Sequence, residues 1–138
     1  VKWKTMERIL PYVNLMLYDL KEMDPEKHAS TTGVLPYIIW ENLKKIDDNY
    51  EIPIWIRTPI ILGYTDEEEN IRKIAKFITE LKHVERWELL PYNPLAESKY
   101  EHLGRKYQLT GLQPPTQEYM KRLEEIGKTY GLNKAIAK

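Results

Sequence analysis

Three short hydrophobic runs, separated by longer amphipathic stretches, give this chain its overall pattern. The runs occupy residues 13–18, 52–56 and 84–90. Periodicity alone does not separate helix from strand in runs of this length, so their length, flanking prolines and aromatic side chains decide for strand. Pro53 lies near the beginning of the second run, where a strand tolerates a missing N–H group. We therefore predict three strands.

The clearest helical pattern lies between the second and third predicted strands, over residues 66–82. Apolar side chains recur there at the spacing of one helix face: Ile71, Ile74, Ala75, Ile78 and Leu81. Thr65 followed three residues later by Glu68 is the pattern of a capping box, in which each side chain bonds the backbone N–H of the other residue. The spacing therefore predicts a helix that begins directly after Thr65.

Further helices are predicted at residues 4–10, 36–47 and 116–130, and Gly131 suits the C-terminal cap of the last one. Helical crossovers between successive strands imply parallel pairing, with the helices packed outside the sheet. The predicted fold class is therefore α/β, a partial (β/α) barrel of three parallel strands with outer helices. So few parallel strands suit half of a barrel better than a complete sandwich. No linker divides residues 1–138 into two domains.

Composition excludes several classes of partner. The 138 residues carry 21 basic and 21 acidic side chains, and a net charge of zero gives no electrostatic footprint for a nucleic acid. No apolar run approaches the roughly 20 residues of a membrane-spanning helix, and no secretory signal is present. We therefore expect no nucleic-acid or membrane partner and a cytoplasmic location. The chain contains no cysteine, which rules out disulfides and cysteine-ligated metal sites within it.

Polar side chains follow each of the three predicted strands. Asp19 and Lys21 come after the first strand, Arg57 after the second and Asn93 after the third. Because the carboxyl ends of parallel strands share one edge of a sheet, where such folds bind ligands, we expect these side chains to lie together. A carboxylate can hold a cation, and lysine and arginine can hold a carboxylate or phosphate. The rim therefore predicts a site for an anionic or zwitterionic small molecule.

The sequence around these strand ends contains ordered motifs. They are DLKEMD at 19–24 with His28 and Gly33, IWIRTP at 54–59 with residues 63–66, and ELLPYNPL at 88–95 with Leu103 and Gly104. In order and spacing, the set resembles the activating enzymes of glycyl radical enzymes, which are radical S-adenosylmethionine enzymes. The resemblance is greatest to the pyruvate formate-lyase activating enzyme type, and it extends over nearly the whole chain.

The resemblance implies a fold and a reaction. Members of this family have a six-stranded partial (β/α) barrel, in which a CxxxCxxC loop binds a [4Fe–4S] cluster. The cluster reductively cleaves S-adenosylmethionine to a 5′-deoxyadenosyl radical, which abstracts hydrogen from a glycine of the partner, a glycyl radical enzyme. By this resemblance, residues 1–138 are the C-terminal half of such a radical SAM barrel. Without the N-terminal cluster-binding half, the chain would be inactive alone.

The resemblance also implies roles for the rim residues. Asp19 would bind a monovalent cation beside the methionine carboxylate of the cofactor, with the Leu17 carbonyl as a second ligand. Lys21 would contact that carboxylate, and Arg57 would lie against the bound cofactor. Asn93 stands where relatives of the pyruvate formate-lyase type carry histidine near the nucleoside, and asparagine can donate and accept hydrogen bonds there without titrating. No catalytic residue is assigned within this chain.

Three aromatic residues outside this rim have structural interpretations. Trp55 and Trp87 lie near strand centres, so we expect both to pack in the core or against the helices rather than to stack on a ligand. His28 has no second histidine or cysteine at metal-ligand spacing, so we expect it to brace the backbone of its loop.

Two alternatives to the enzyme remain open at this point. The chain could be a non-catalytic half-barrel module that docks a partner protein, or another small α/β fold that binds an anion at the same rim. A half barrel also leaves an open sheet edge beside its first strand, and unpaired edges invite pairing with another chain. We therefore expect homo-oligomers through that edge, or disorder over residues 1–10.

Overall fold

A computed structural model of the protein describes residues 2–32, 36–62, 65, 67–91, 114–131 and 135–137. The helices within these ranges are α1 (Trp3–Ile9), α2 (Pro25–Thr32), α3 (Tyr37–Asn49), α4 (Glu68–Thr79) and α5 (Gln117–Thr129). The strands are β1 (Met16–Asp19), β2 (Ile54–Ile60), β3 (Val84–Pro91) and β4 (Ala135–Ala137). A 3₁₀ turn at Leu10–Tyr12 follows α1. None of the described helices has the length and apolar character to cross a membrane.

The described strands form one sheet in the order β1-β2-β3-β4, and every neighbouring pair is parallel. Because neighbours in the sheet are also consecutive in the chain, each crossover leads one strand further in the same direction. This is the winding of a barrel wall, and it differs from a doubly wound sheet, in which the strand order reverses. The α/β class and the three predicted parallel strands are confirmed. The short strand β4 was missed.

Side chains along β2 alternate between two different environments. Ile54, Ile56, Thr58 and Ile60 are buried, whereas the residues between them are partly exposed on the other face. The buried face belongs to one core that also includes buried residues of α3, α4 and α5, among them Leu43, Ile46, Ile71, Ile74, Met120 and Leu123. The opposite, partly exposed face corresponds to the inside of the barrel wall.

The two strand tryptophans lie on opposite faces of the sheet. Trp87 is 1% exposed, and its indole Nε1 donates to the Thr58 hydroxyl at 2.9 Å. Trp55 lies on the inner face and is only partly buried, with the Arg86 guanidinium 4.9 Å from its ring centroid. The prediction of a core position is therefore confirmed for Trp87 and wrong for Trp55, because side chains alternate faces along a strand.

The N-terminal segment is helical and joined to the core. Met6 and Leu10 are buried, the Trp3 ring lies edge-on to Tyr50 with 6.5 Å between centroids, and the Lys45 ammonium lies 5.5 Å from the Trp3 ring. The alternative of disorder over residues 1–10 is therefore wrong for the described positions from residue 2 onward.

The predicted capping box at the start of α4 does not form. The N-cap of α4 is Glu67, and it makes no side-chain cap hydrogen bond. The buried Thr65 hydroxyl instead accepts from the backbone N–H of Ile61 at 2.9 Å and donates to the Pro59 carbonyl. Thr65 thus closes the loop after β2, because its backbone lies before the helical turn that a capping residue would need.

Candidate cofactor-binding rim

Asp19, the last residue of β1, meets Arg57 of β2. The prediction that Arg57 follows the second strand is wrong, because β2 runs from Ile54 to Ile60 and Arg57 lies in its middle. Asp19 and Arg57 are partners in the parallel register, and Arg57 Nε donates to Asp19 Oδ1 at 3.1 Å. Their side chains are 43% and 39% exposed, respectively. Ion pairs this exposed typically contribute about 0–1 kcal/mol to stability. The pair therefore adds little to the fold, and both charges remain accessible to a ligand.

Lys21 lies two residues beyond Asp19 at the same end of the sheet. The backbone N–H of Leu20 donates to the Arg57 carbonyl at 3.0 Å, so the chain stays beside β2 for one residue after β1 ends. The Lys21 carbonyl then accepts from Asn70 Nδ2 at 2.9 Å. The structure therefore brings three of the predicted site residues to one rim.

Leu17 lies on the same inner face as Asp19, and the residue is 47% exposed. The backbone N–H of Met16 donates to the Pro53 carbonyl just before β2, and the backbone N–H of Leu20 donates to the Arg57 carbonyl in β2. Because backbone groups alternate in direction along a strand, the peptide groups of the odd-numbered residues of β1 point away from β2. The Leu17 carbonyl therefore faces the edge of β1 that none of the described strands covers, where a ligand or a further strand can reach it.

A groove of about 330 Å³ lies beside this edge. Its lining residues are Met6, Leu17, Tyr18, Asp19, Ile39, Asn42 and Arg57. Tyr18 donates its hydroxyl to the Ile39 carbonyl at 2.6 Å, and burial raises the pKa of Tyr18 to about 12. The phenol is therefore neutral at physiological pH, so the charges along the groove come from Asp19 and Arg57.

The inner face carries further charges on β3. Glu88 is the register partner of Arg57, so acidic, basic and acidic side chains follow one another across β1, β2 and β3. Arg86 Nε lies 2.9 Å from Glu88 Oε1. Arg86 and Glu88 were not among the predicted site residues, although the alternation of charged residues with Trp87 and Leu89 along β3 indicates an inner face of this kind.

Asn93 lies outside the described residues, and the described part of β3 ends at Pro91. Its proposed position near the nucleoside therefore stays a prediction. His28 lies within α2, so its predicted placement in a loop is wrong, while its exposure of 3% agrees with a structural role in the packed interior.

Comparison with known proteins gives close relatives. The indoleacetate decarboxylase activating enzyme of Tractidigestivibacter scatoligenes is 40% identical over 132 residues, which cover 96% of this chain and 42% of that enzyme. The pyruvate formate-lyase 1-activating enzyme of Escherichia coli K12 is 32% identical over 126 residues, covering 91% and 51%. The chain is homologous to the glycyl-radical-enzyme activating enzymes. The isethionate sulfite-lyase activating enzyme of Oleidesulfovibrio alaskensis, 45% identical over 105 residues, supports the same relationship.

Two solved structures are also similar to this chain. A domain of a pyruvate-formate lyase-activating enzyme from Bacteroides vulgatus superposes with a TM-score of 0.80 at 28% identity, covering 99% of this chain and 74% of that one. A radical SAM methyltransferase from Sphaerobacter thermophilus has a TM-score of 0.73 at 15% identity, which indicates a shared fold. No family model matches the chain. The chain spans only 33–51% of the length of the three curated relatives named above.

Proposed function

We propose that this chain is the part of a radical S-adenosylmethionine activase that binds the cofactor at the rim of β1 and β2. The activase acts on a glycyl radical enzyme, as the names of its relatives suggest. The observation that carries the proposal is the convergence of Asp19, Lys21 and Arg57 at the carboxyl end of β1. Ligands of parallel α/β folds bind at that end.

The charges of the rim fit the charges of S-adenosylmethionine. Its methionine carboxylate needs cationic partners, which Lys21 and Arg57 supply. The second oxygen of Asp19, together with the Leu17 carbonyl at the open edge, offers oxygen ligands for a monovalent cation beside that carboxylate. The resemblance to the activating enzymes implies a position near the nucleoside for Asn93, which lies outside the described residues. The bound cofactor is the source of the radical that the activase passes to a glycine of its partner.

In this proposal, the Asp19–Arg57 ion pair belongs to the cofactor-free state. When the cofactor binds, Arg57 exchanges the Asp19 carboxylate for the cofactor carboxylate. The exchange costs little because the pair is about 40% exposed and such pairs contribute about 0–1 kcal/mol. It also frees both oxygens of Asp19 for the cation. In the absence of cofactor, the ion pair thus holds the Arg57 guanidinium close to the position that the cofactor carboxylate later occupies.

The [4Fe–4S] cluster does not fit the residues of this chain, which contains no cysteine thiolate to hold it. We propose that its ligands lie in another part of a longer polypeptide. The partial coverage of the activating enzymes supports this. The chain alone is then inactive, and the complete protein works in the cytoplasm on its glycyl radical partner.

Reconstitution of the full-length protein tests the proposal. The protein is loaded with iron and sulfide, reduced, and incubated with S-adenosylmethionine, and 5′-deoxyadenosine and methionine are measured. We expect both products, and a glycyl radical signal in electron paramagnetic resonance when the partner enzyme is present. A cluster-loaded, reduced protein that leaves S-adenosylmethionine intact would remove the catalytic assignment.

The exposed edge of β1 favours one second candidate, a non-catalytic half-barrel module that docks a partner protein. Leu15, just before β1, is 40% exposed, and Leu17, within β1, is 47% exposed. The two side chains offer an apolar surface to a protein partner. A full-length sequence without a CxxxCxxC motif, together with a protein that takes up no cluster, would favour the module over the enzyme.

A further inference from the structure

Asn70 joins the loop after β1, which carries Lys21, to the loop after β2. It lies in the first turn of α4 and is 3% exposed. Its Oδ1 accepts from the backbone N–H of Met23 at 2.8 Å, while Nδ2 donates to the carbonyls of Lys21 at 2.9 Å and Thr65 at 3.0 Å. The amide therefore uses its acceptor and both of its donors on backbone groups of the loops after β1 and β2.

A second side chain fixes the residue just before Lys21. The Thr58 hydroxyl donates to the Leu20 carbonyl at 2.6 Å, and the same hydroxyl accepts from Trp87 Nε1 at 2.9 Å. Thr58 is fully buried, so this chain of bonds is shielded from water. Together, Thr58 and Asn70 hold the backbone on both sides of the Lys21 side chain.

A fixed backbone matters for a lysine more than for a short side chain. Lysine ends in an ammonium on a flexible four-carbon stem, so the loop backbone decides which volume the ammonium can reach. A loop that samples several conformations binds a ligand more weakly, in proportion to the fraction of time spent in the competent one. Holding the Lys21 peptide in place therefore raises the affinity for whatever the ammonium contacts.

We propose that Asn70 is a positioning residue, which sets Lys21 against the carboxylate of the bound cofactor. This inference rests on the proposed function, because it takes S-adenosylmethionine as the ligand of the rim. Asn70 itself touches neither cofactor nor substrate in this account. It acts through the backbone of Lys21 and Met23, and Thr58 supports it through Leu20.

Asp47 offers a matched comparison at the other end of the sheet. It is 2% exposed, and its carboxylate accepts from the backbone N–H groups of Lys82 and His83 at 2.8–3.0 Å. His83 Nδ1 lies 3.1 Å from Oδ1. Asp47 thus ties the end of α3 to the loop before β3, at the amino ends of the strands. It is as buried as Asn70, but it is remote from the rim.

The test uses the full-length, cluster-loaded protein and three variants: Asn70→Ala, Thr58→Val and Asp47→Ala. The KM for S-adenosylmethionine and the kcat for 5′-deoxyadenosine formation are measured, together with the melting temperature. We expect Asn70→Ala and Thr58→Val to raise KM by about tenfold while kcat at saturation stays within about twofold. Asp47→Ala should lower the melting temperature and leave KM unchanged.

The outcomes separate the inference from the proposed function. A wild-type protein that neither binds nor cleaves S-adenosylmethionine overturns the proposed function, and this inference with it. If the wild type is active but Asn70→Ala has the wild-type KM, or Asp47→Ala raises KM equally, only the inference is overturned. Should Asn70→Ala fail to fold, Thr58→Val decides by the same KM criterion.

Discussion

Asp19 and Arg57 face each other because β1 and β2 are in parallel register and both side chains point to the inner face. The same alternation of side chains places Thr58 on the buried face, where its hydroxyl reaches the Leu20 carbonyl. One residue position therefore separates a charge offered to a ligand from a group that supports the loop. A shift of the register by one residue would exchange these roles.

The buried phenol of Tyr18 should make the stability of the protein depend on pH. Burial raises the pKa of Tyr18 from 10.0 to about 12. The unfolded chain then loses this proton first as the pH rises, so the stabilising effect of the neutral phenol is complete below pH 10 and is lost between pH 10 and about 12.

The measurement is the free energy of unfolding against pH, for the wild type and Tyr18→Phe. The difference between the two removes the contribution of the other tyrosines and the lysines. We expect the wild type to lose more stability than the variant across this interval. Parallel curves would contradict the buried, neutral phenol.

The sequence pattern predicted the rim residues for a physical reason. Asp19 and Lys21 follow the first hydrophobic run, and the end of a parallel strand is a defined position in space. Arg57 lies beside them through its register with Asp19, although β2 continues past it to Ile60. The roles of Asn70 and Thr58 depend on which backbone carbonyls the fold brings within 3 Å, and periodicity contains no such information. Trp55 was misplaced because its position near a strand centre does not say which face of the sheet is covered.

At the scale of elements, two threonines before helices have different functions. The Thr116 hydroxyl accepts from the backbone N–H of Tyr119 at 3.1 Å, so Thr116 is a true N-cap for α5. Thr65 has the sequence pattern of a cap, yet it bonds within the loop after β2. Sequence patterning located α3, α4 and α5 through their apolar stripes. It missed α2, whose residues PEKHASTT carry no such stripe, and the three-residue β4.

Thr116→Ala should destabilise the protein by about 1 kcal/mol, because it removes the partner of an otherwise unsatisfied N–H at the start of α5. Chemical denaturation monitored by circular dichroism measures the change. Thr116→Ser is the matched control, since it retains the hydroxyl and should stay near the wild type. Equal stability of the alanine and wild-type proteins would show that the cap bond does not contribute.

At the scale of the whole molecule, the described strands form an open section of barrel wall. In the described part of the sheet, β1 has β2 on one side and is the edge strand on the other. Leu17 is 47% exposed at that edge, and the groove containing Asp19 and Arg57 runs beside it. Apolar side chains and unpaired peptide groups together form a surface that another strand can join.

We therefore expect the 138-residue chain by itself to self-associate. Light scattering across a range of concentrations should give a mass that rises above that of the monomer. Leu17→Lys should reduce this, because a charge on an edge strand opposes pairing. Tyr130→Lys, at an exposed apolar residue after α5, should not. A monodisperse monomer at every concentration would contradict the prediction.

The central claim is that the side chains gathered at the carboxyl end of β1, among them Lys21 and Arg57, bind S-adenosylmethionine. Calorimetric titration of the cofactor into the full-length, cluster-loaded protein tests it most directly, with Lys21→Gln, Arg57→Gln and the outer-helix control Lys45→Gln. The account predicts that the two rim variants each bind about tenfold more weakly or worse, from the loss of a charge-assisted hydrogen bond, and that Lys45→Gln binds like the wild type. Wild-type affinity in both rim variants would contradict it.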